Sequence, residues 1–283
     1  MITILEGPDG SGKTTLGKAL ADKRGVTIHF GLLAKLFQNY LQATSFCDDV
    51  FCDRFYFSER VYGPVIRGVD AFPLSHERML ERVLFSKQAV VILCLPPLAA
   101  CLTTFTRRQE EEYLTHAEQL KKVYAAYTRL TTNLPLIVYD YEKDTLPALR
   151  DKINALRPPV NGGPGVGYFS PGETLLVGER SNNEHFPFIS TRGCSPWVAE
   201  QLDLASISEK KLYWINAVKP DGAHTAFDFL TVLQPKKIIA LGLIAETWCQ
   251  AAGVNYTVVP HPQYWKRFHH ADHYPLIDEL LGS

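Results

Sequence analysis

No uninterrupted apolar run in the 283 residues reaches the roughly 18 that a membrane-spanning helix requires. Met1 leads directly into a strand-like ITILE, without the charged and apolar regions of a secretory signal. The expectation is therefore a cytoplasmic chain with no membrane partner. Its six cysteines form no C-x-x-C pair and no regular framework, which argues against disulfides and against a zinc or iron–sulfur site. Net charge is also lacking. With 29 Lys+Arg against 30 Asp+Glu there is no global basic field to attract nucleic acid, so any DNA contact must come from local patches. No internal repeat is visible, and the polar cluster His269, His270, Asp272, His273 near the end reads as an exposed turn without a metal.

What is present divides in two. A chain of 283 residues exceeds what one hydrophobic core usually spans. The clearest change in composition is RPPVNGGPGVGYFSPG, residues 157–172, where prolines and glycines crowd and periodicity is lost. This predicts a domain over 1–156, a linker over 157–172 and a domain over 173–283. Before the linker, the short apolar runs ITILE, VTIHF, VFCD, AVVILCL and LPLIVYD alternate with helical patterns near 13–23, 75–87 and 110–131. That rhythm predicts an α/β fold with a parallel sheet and helices on both faces. After the linker, TLLVGE, KLYWIN, KKIIALG and YTVVP, with helices near 196–204 and 243–251, predict a second, smaller α/β/α unit.

The strongest chemical signal is GPDGSGKT at 7–14, a complete G-x-x-x-x-G-K-[ST] between a strand and a helix. Gly7, Pro8, Asp9, Gly10, Ser11 and Gly12 form a loop whose N–H groups can wrap a polyphosphate. The helix opened by Lys13, Thr14 and Thr15 adds the positive end of its dipole. Lys13 is expected to reach the β- and γ-phosphates of ATP, and the Thr14 hydroxyl to hold Mg2+.

ITILEGPDGSGKTTL closely resembles the opening of thymidylate kinases, and Asp53-Arg54 followed by FYFSER matches that family's Asp-Arg motif. The resemblance covers about the first 155 residues. It implies that Arg54 contacts the phosphate region and that Asp53 or Glu6 orients magnesium or the acceptor hydroxyl. Arg107 and Arg108, before the acidic run 110–112, fall where the family's lid supplies arginines that close over ATP and stabilise spreading negative charge. One departure matters. Where thymidylate kinases carry an arginine-bearing segment that cradles the 5′-phosphate of a free nucleotide, this chain reads HFGLLAKLFQNYLQATSF, with no arginine. A buried phosphate needs paired cations or N–H donors, so the acceptor is expected not to be a free mononucleotide. His29 lies near the acceptor side.

TLLVGERSN, SPWVAEQLD, LYWINA, KKIIALG and VVPHPQYWKRF, across about 171–275, resemble the uracil-DNA glycosylase superfamily in pattern. The resemblance implies that the loop carrying Glu179 and Asn182, and the His261-Pro262-Gln263 segment, meet a flipped base. Phe186, Phe188, Asn216, Tyr264 and Trp265 would supply stacking and hydrogen bonds, and Lys266 and Arg267 would hold phosphates. GERSN does not reproduce a water-activating sequence of that superfamily, and the cysteines of its iron–sulfur branch are missing, which argues against glycosylase chemistry.

The combination resembles the phage 5-hydroxymethyluracil DNA kinases, which make 5-phosphomethyl-deoxyuridine within DNA during thymidine hypermodification. The implied partners are ATP, Mg2+ and DNA containing 5-hydroxymethyluracil. The implied catalytic set is Lys13, Asp53, Arg54, Arg107 and Arg108, with Asp53 orienting the alcohol. A deoxynucleoside monophosphate kinase with a degenerate appendage, a DNA-binding ATPase module and a bifunctional glycosylase are the alternatives.

Overall fold

The computed structural model describes residues 1–20, 25–27, 36–46, 50–70, 72–107, 114–180, 186–269 and 272–282. The chain divides into two compact units, Met1–Pro73 with Gln88–Arg157, and Leu74–Lys87 with Pro158–Ser283. In chain order the elements up to the first inserted segment are β1 (Ile2–Glu6), α1 (Lys13–Leu20), β2 (Gly25–Thr27), α2 (Leu36–Phe46), β3 (Val50–Asp53) and α3 (Tyr56–Tyr62). A π-helical turn, Gly63–Arg67, follows α3, and then comes α4 (Leu74–Ser86). The chain continues through β4 (Val90–Cys94), α5 (Leu98–Arg107), α6 (Ala117–Tyr127), β5 (Leu136–Tyr139) and α7 (Leu146–Leu156).

The first unit is built on a sheet of order β2-β3-β1-β4-β5 in which every pairing is parallel. Parallel strands covered on both faces are apolar throughout rather than alternating, and β1 and β4 are buried at every position. Along β4 the pleat splits the core. Val90, Ile92 and Cys94 pack with Leu16 of α1 and with Leu149 and Ile153 of α7, while Leu93 packs with Val61 and Tyr62 of α3 and Leu120, Val123 and Tyr127 of α6. Helix α7 starts where Thr145 accepts a hydrogen bond from the Ala148 N–H and Pro147 occupies the first turn. Helix α6 starts at Ala117 behind an extended His116, later than the expected 110–131; residues 110–113 lie outside the described residues.

The second unit contains β6 (Val166–Gly167), β7 (Thr174–Arg180), α8 (Ser195–Leu204), a 3-10 turn Glu209–Lys211, β8 (Leu212–Val218), α9 (Leu230–Leu233), β9 (Lys237–Leu241), α10 (Leu243–Ala252), β10 (Thr257–Val259), α11 (Pro262–Phe268) and α12 (Pro275–Leu281). Its sheet has the order β10-β9-β7-β8-β6, parallel except for the antiparallel edge strand β6. One face of the sheet packs Leu175, Val177, Tyr213, Ile215 and Ala240 against Trp248 of α10.

Two sequence expectations are corrected here. Helix α4 follows the alternation of the first unit in sequence, yet it belongs to the second. Its Arg82 guanidinium lies 4.0 Å from the Trp214 ring centroid and pairs with Glu209 at 2.5 Å, and Arg78 pairs with Asp203 of α8 at 2.9 Å. The stretch 158–172 is not a free linker, because it supplies β6. Asn161 Nδ2 donates to the Gly165 carbonyl at 2.9 Å, and the Tyr213 hydroxyl donates to Asn161 Oδ1 at 2.8 Å. A Cβ at Gly165 would lie 2.0 Å from the Trp214 carbonyl oxygen, so this glycine is required by close approach to β8 rather than by flexibility. Among the described residues no helix is long and apolar enough to cross a membrane.

Candidate active site

In an open parallel sheet, ligands bind outside the carboxyl ends of the strands where the strand order reverses. In the first sheet the chain passes from β3 on one side of β1 to β4 on the other, and the glycine-rich loop leaves β1 at this point. Gly7 has φ +142° and Gly10 has φ +77°; a Cβ on them would fall 2.3 Å from the Cys94 carbonyl oxygen and 2.6 Å from that of Cys101. Only glycine lets the loop lie flat on β4 and α5 while curving round an anion-sized concavity.

Lys13, only 6% exposed, folds its ammonium onto the loop and donates to the carbonyls of Gly7 at 2.8 Å and Pro8 at 2.7 Å. Burial, helped by the nearby Arg54 charge, pushes its pKa down to about 8, against the pull of Asp9 and Asp53. The Thr14 hydroxyl donates to Asp53 Oδ2 at 2.5 Å. A hydroxyl and a carboxylate oxygen side by side form a hard donor set that suits Mg2+.

Arg54 holds its backbone at φ +74°, a left-handed conformation that a non-glycine residue keeps when the surrounding structure holds it there. Its N–H donates to the Leu5 carbonyl at 2.9 Å, and its guanidinium pairs with Asp9 of the loop, donates to Tyr62 Oη at 3.2 Å and lies 4.8 Å from that ring's centroid. Among the described residues the second carboxylate oxygen of Asp9 is buried without a hydrogen-bond partner. Arg54 is thereby tied to the loop that would carry the phosphates.

Glu6 does something other than the orienting role implied by resemblance. It is fully buried and accepts hydrogen bonds from the Phe55 N–H at 2.6 Å, Ser58 Oγ at 2.7 Å and Tyr127 Oη at 2.9 Å, while burial raises its pKa. It pins the turn after β3, and so the backbone of Asp53 and Arg54. Arg107 is exposed at the end of α5; Arg108 and His29 lie outside the described residues.

The sequence reading missed the cavity beside the loop. About 340 Å³ is enclosed by Gly10, Gly12, Thr15, Leu16, Ala19, Thr104, Tyr139, Tyr141 and Leu146. The available signal was the aromatic pair Tyr139 and Tyr141 at the carboxyl end of β5.

The second sheet has its own reversal at β7, and a cavity of about 240 Å³ opens there. Glu179, Arg180, Phe188, Arg192, Asn216 and His261 are among its walls. Glu179 Oε1 accepts from the Ile244 N–H at 3.2 Å, and its Oε2 lies 3.8 Å from His261 Nε2. His261 Nδ1 accepts from the Gln263 N–H at 3.1 Å, capping α11 and leaving any ring proton on the Nε2 that faces Glu179. Burial lowers the His261 pKa and the Glu179 charge opposes that. Asn216 is 7% exposed, and among the described residues its Nδ2 has no hydrogen-bond partner.

Of the residues expected to meet a base, Glu179, Phe188, Asn216, His261 and Gln263 line this cavity, whereas Asn182 lies outside the described residues. Phe186, Trp265, Lys266 and Arg267 are not among its walls. The reason is helix α11, which turns Trp265 onto His269, ring centroids 4.5 Å apart, and exposes Arg267. Lys266 reaches the rim through a hydrogen bond to the Gly193 carbonyl at 3.1 Å.

The fold and site define a parallel α/β unit with a glycine-rich loop at its topological switch point. No protein-family model matches the chain, and no curated protein matches its sequence. Among solved structures, it is similar to the YorR protein of Bacillus subtilis in complex with phosphorylated GDP, at 22% identity and TM-score 0.46, over 55% of this chain and 95% of that one. It is also similar to deoxyadenosine kinase from M. mycoides with bound dCTP, at 15% identity and TM-score 0.37, over 55% and 100% of the two chains. The same kinase with bound dATP matches at 14% identity and TM-score 0.39, over 54% and 100%.

Proposed function

We propose that the chain is an ATP-dependent phosphotransferase whose acceptor is the hydroxymethyl group of 5-hydroxymethyluracil within DNA, yielding 5-phosphomethyl-deoxyuridine. The observation that carries the kinase reading is the convergence of the Lys13 ammonium, the Thr14–Asp53 oxygen pair and Arg54 on one loop. Those groups can neutralise a triphosphate and position it. In the proposed step the hydroxymethyl oxygen attacks the γ-phosphorus in line, the bond to the β–γ bridging oxygen breaks, ADP leaves and the alcohol proton is released. Magnesium held by Thr14 and Asp53 would draw charge from the departing oxygens, and Asp53 would orient the alcohol. Arg107 and Arg108 are proposed as lid groups.

The polymer acceptor rests on the lack of an arginine clamp over 29–46 and on the second cavity. The Asn216 amide, more than nine-tenths buried and with its NH2 unpaired among the described residues, suits the edge of an extruded base, which offers carbonyl acceptors. Lys266 and Arg267, with Trp265, are proposed to hold the flanking backbone. Incubating the protein with γ-labelled ATP and magnesium, alongside 5-hydroxymethyluracil DNA, thymine DNA and free mononucleotides, is expected to label only the first. Label on mononucleotides alone would return the chain to nucleotide metabolism. Asn216→Ala is expected to raise the KM for DNA about tenfold or more while leaving the KM for ATP unchanged; an unaltered KM for DNA removes the cavity from the reading.

The facing pair Glu179 and His261 supports one second reading, a glycosylase, because a carboxylate can activate water and an imidazole can steady a leaving base. Its signature is abasic sites in uracil-containing DNA, which the kinase reading does not produce.

Nucleotide binding should depend on pH through Lys13. Its folded pKa of about 8 lies below the 10.5 of a free lysine, so burying the cation costs stability fully below pH 8, and that cost is relieved as pH rises toward 10.5. A bound polyphosphate favours the charged amine and raises its pKa again. Binding should therefore take up a proton above pH 8 and weaken as pH climbs. Titration calorimetry at about pH 8.5 in two buffers of different ionisation heat measures this uptake; equal heats in both would exclude Lys13 as the titrating group.

A further inference from the structure

We infer that the cavity at the β7 reversal of the second sheet is an anion site whose occupant is a base carrying a phosphomonoester, held more tightly than the alcohol from which it is made. The inference rests on the proposed function, in which that phosphorylated base is the product. Gly193, Cys194 and Ser195 bring the start of α8 to the wall of this cavity. The ten-residue helix has Cys194 as its N-cap, and Cys194 makes no side-chain capping hydrogen bond. The first bond within the helix runs from the Val198 N–H to the Cys194 carbonyl at 2.8 Å, and Pro196 has no N–H. The N–H groups of Ser195 and Trp197 therefore have no acceptor within the helix. Such groups, at the positive end of a helix dipole, attract an anion.

Asn216 supplies an independent observation on the same wall. Its side chain is more than nine-tenths buried, and among the described residues its NH2 has no partner. Its Oδ1 is turned toward Gly178 of β7, 2.6 Å from where a Cβ there would lie, which leaves the NH2 as the group offered to a ligand. Arg180 and Arg192 are exposed side chains that also line the cavity, and Lys266 is held at the rim by the Gly193 carbonyl. The opposing charge is Glu179, whose two oxygens already face the Ile244 N–H and His261. A neutral base edge needs only the amide. Two guanidinium groups and an open helix start suit a phosphomonoester, which carries close to two negative charges and three acceptor oxygens at neutral pH. In 5-phosphomethyluracil the ester hangs by one carbon from C5, next to the C4 carbonyl that can accept from the Asn216 NH2. Base and phosphate would thus enter one cavity together.

The test uses three labelled duplexes that differ at one base: 5-phosphomethyluracil, 5-hydroxymethyluracil or thymine. Fluorescence anisotropy gives their dissociation constants for the full chain without ATP. The phosphomethyl duplex is expected to bind about tenfold or more tighter than the hydroxymethyl duplex. Arg192→Gln, at an exposed position outside the core, is expected to remove most of that margin and to leave binding of the hydroxymethyl duplex nearly unchanged. Equal affinity for the phosphomethyl and hydroxymethyl duplexes overturns the inference, while transfer of label to hydroxymethyluracil DNA, measured separately, still upholds the kinase reading. Preferential binding of the phosphomethyl duplex by a chain that transfers no label keeps the cavity as a phosphomonoester site and removes the kinase reading. A loss on Arg192→Gln shared equally by all three duplexes assigns the arginine to a backbone phosphate and overturns the inference. A margin that survives replacement of both Arg180 and Arg192 by glutamine places the phosphate elsewhere and overturns it too.

Discussion

Replacing Lys13 by alanine should lower phosphoryl transfer about a thousandfold while the fold survives. The ammonium is held by the carbonyls of Gly7 and Pro8 and is 6% exposed, so it is pre-positioned at the concavity where triphosphate charge would accumulate. A charged donor fixed in a water-poor site needs no reorganisation when negative charge shifts in the transition state, and its loss is felt most there. The folded state gives up little. Burial has already lowered the lysine pKa to about 8, so removing the cation relieves a desolvation cost that offsets the lost hydrogen bonds. The expected pattern is a collapsed kcat, measured with labelled ATP, and an unchanged or slightly raised midpoint of thermal unfolding. Full transfer by Lys13→Ala would exclude the glycine-rich loop as the donor site.

The second large effect concerns stability, and it follows from a residue that carries no motif. Arg82→Ala should cost about 3–5 kcal/mol in urea unfolding. Arg82 and Glu209 are both almost fully buried, with Nε and Nη2 of the arginine donating to the two carboxylate oxygens at 2.5 and 3.1 Å. The guanidinium also covers the Trp214 ring and donates to the Phe188 carbonyl at 3.3 Å. Removing the arginine strands the Glu209 charge in the interior, and that uncompensated charge accounts for most of the penalty. The paired substitution of Arg82 and Glu209 by methionine should recover most of the loss, because it removes both charges and keeps volume. A single-variant cost below about 1 kcal/mol would show that water reaches Glu209. The effect should extend to the second cavity. Phe188 sits at φ +56° on its wall, a strained backbone held in part by the Arg82 bond.

The two halves differ in how much of them could be read in advance. AVVILCL is an unbroken apolar run and ITILE is interrupted only by Thr3 before its terminal Glu6, because β1 and β4 are buried at every position, and such runs, closed by Gly7 and by Pro96, are legible without coordinates. The GPDGSGKT loop was legible for a similar reason, since its chemistry depends on residues adjacent in sequence. Helix α4 was misplaced because a helical pattern reports only that a helix forms, and its partners Glu209, Asp203 and Trp214 lie more than a hundred residues away. The stretch 157–172 reads as a linker because glycine serves flexibility and close packing alike, and only the approach of Gly165 to β8 distinguishes them.

For the candidate sites the division is equally physical. Lys13, Thr14 and Asp53 are set by local motif and strand end, Glu179 by its place at the carboxyl end of β7 and His261 by its position after β10, so their candidacy could be read from order along the chain. That Glu6 is a buried anchor, that Arg54 pairs with Asp9, that hydroxyls line the cavity beside the loop, and that Asn216 keeps an unpaired NH2 was decided by which side chains the two sheets bring together. Local pattern sets what each segment can form. Contacts between distant segments fix burial, and burial determines which polar groups are spent on the fold and which are left for a ligand.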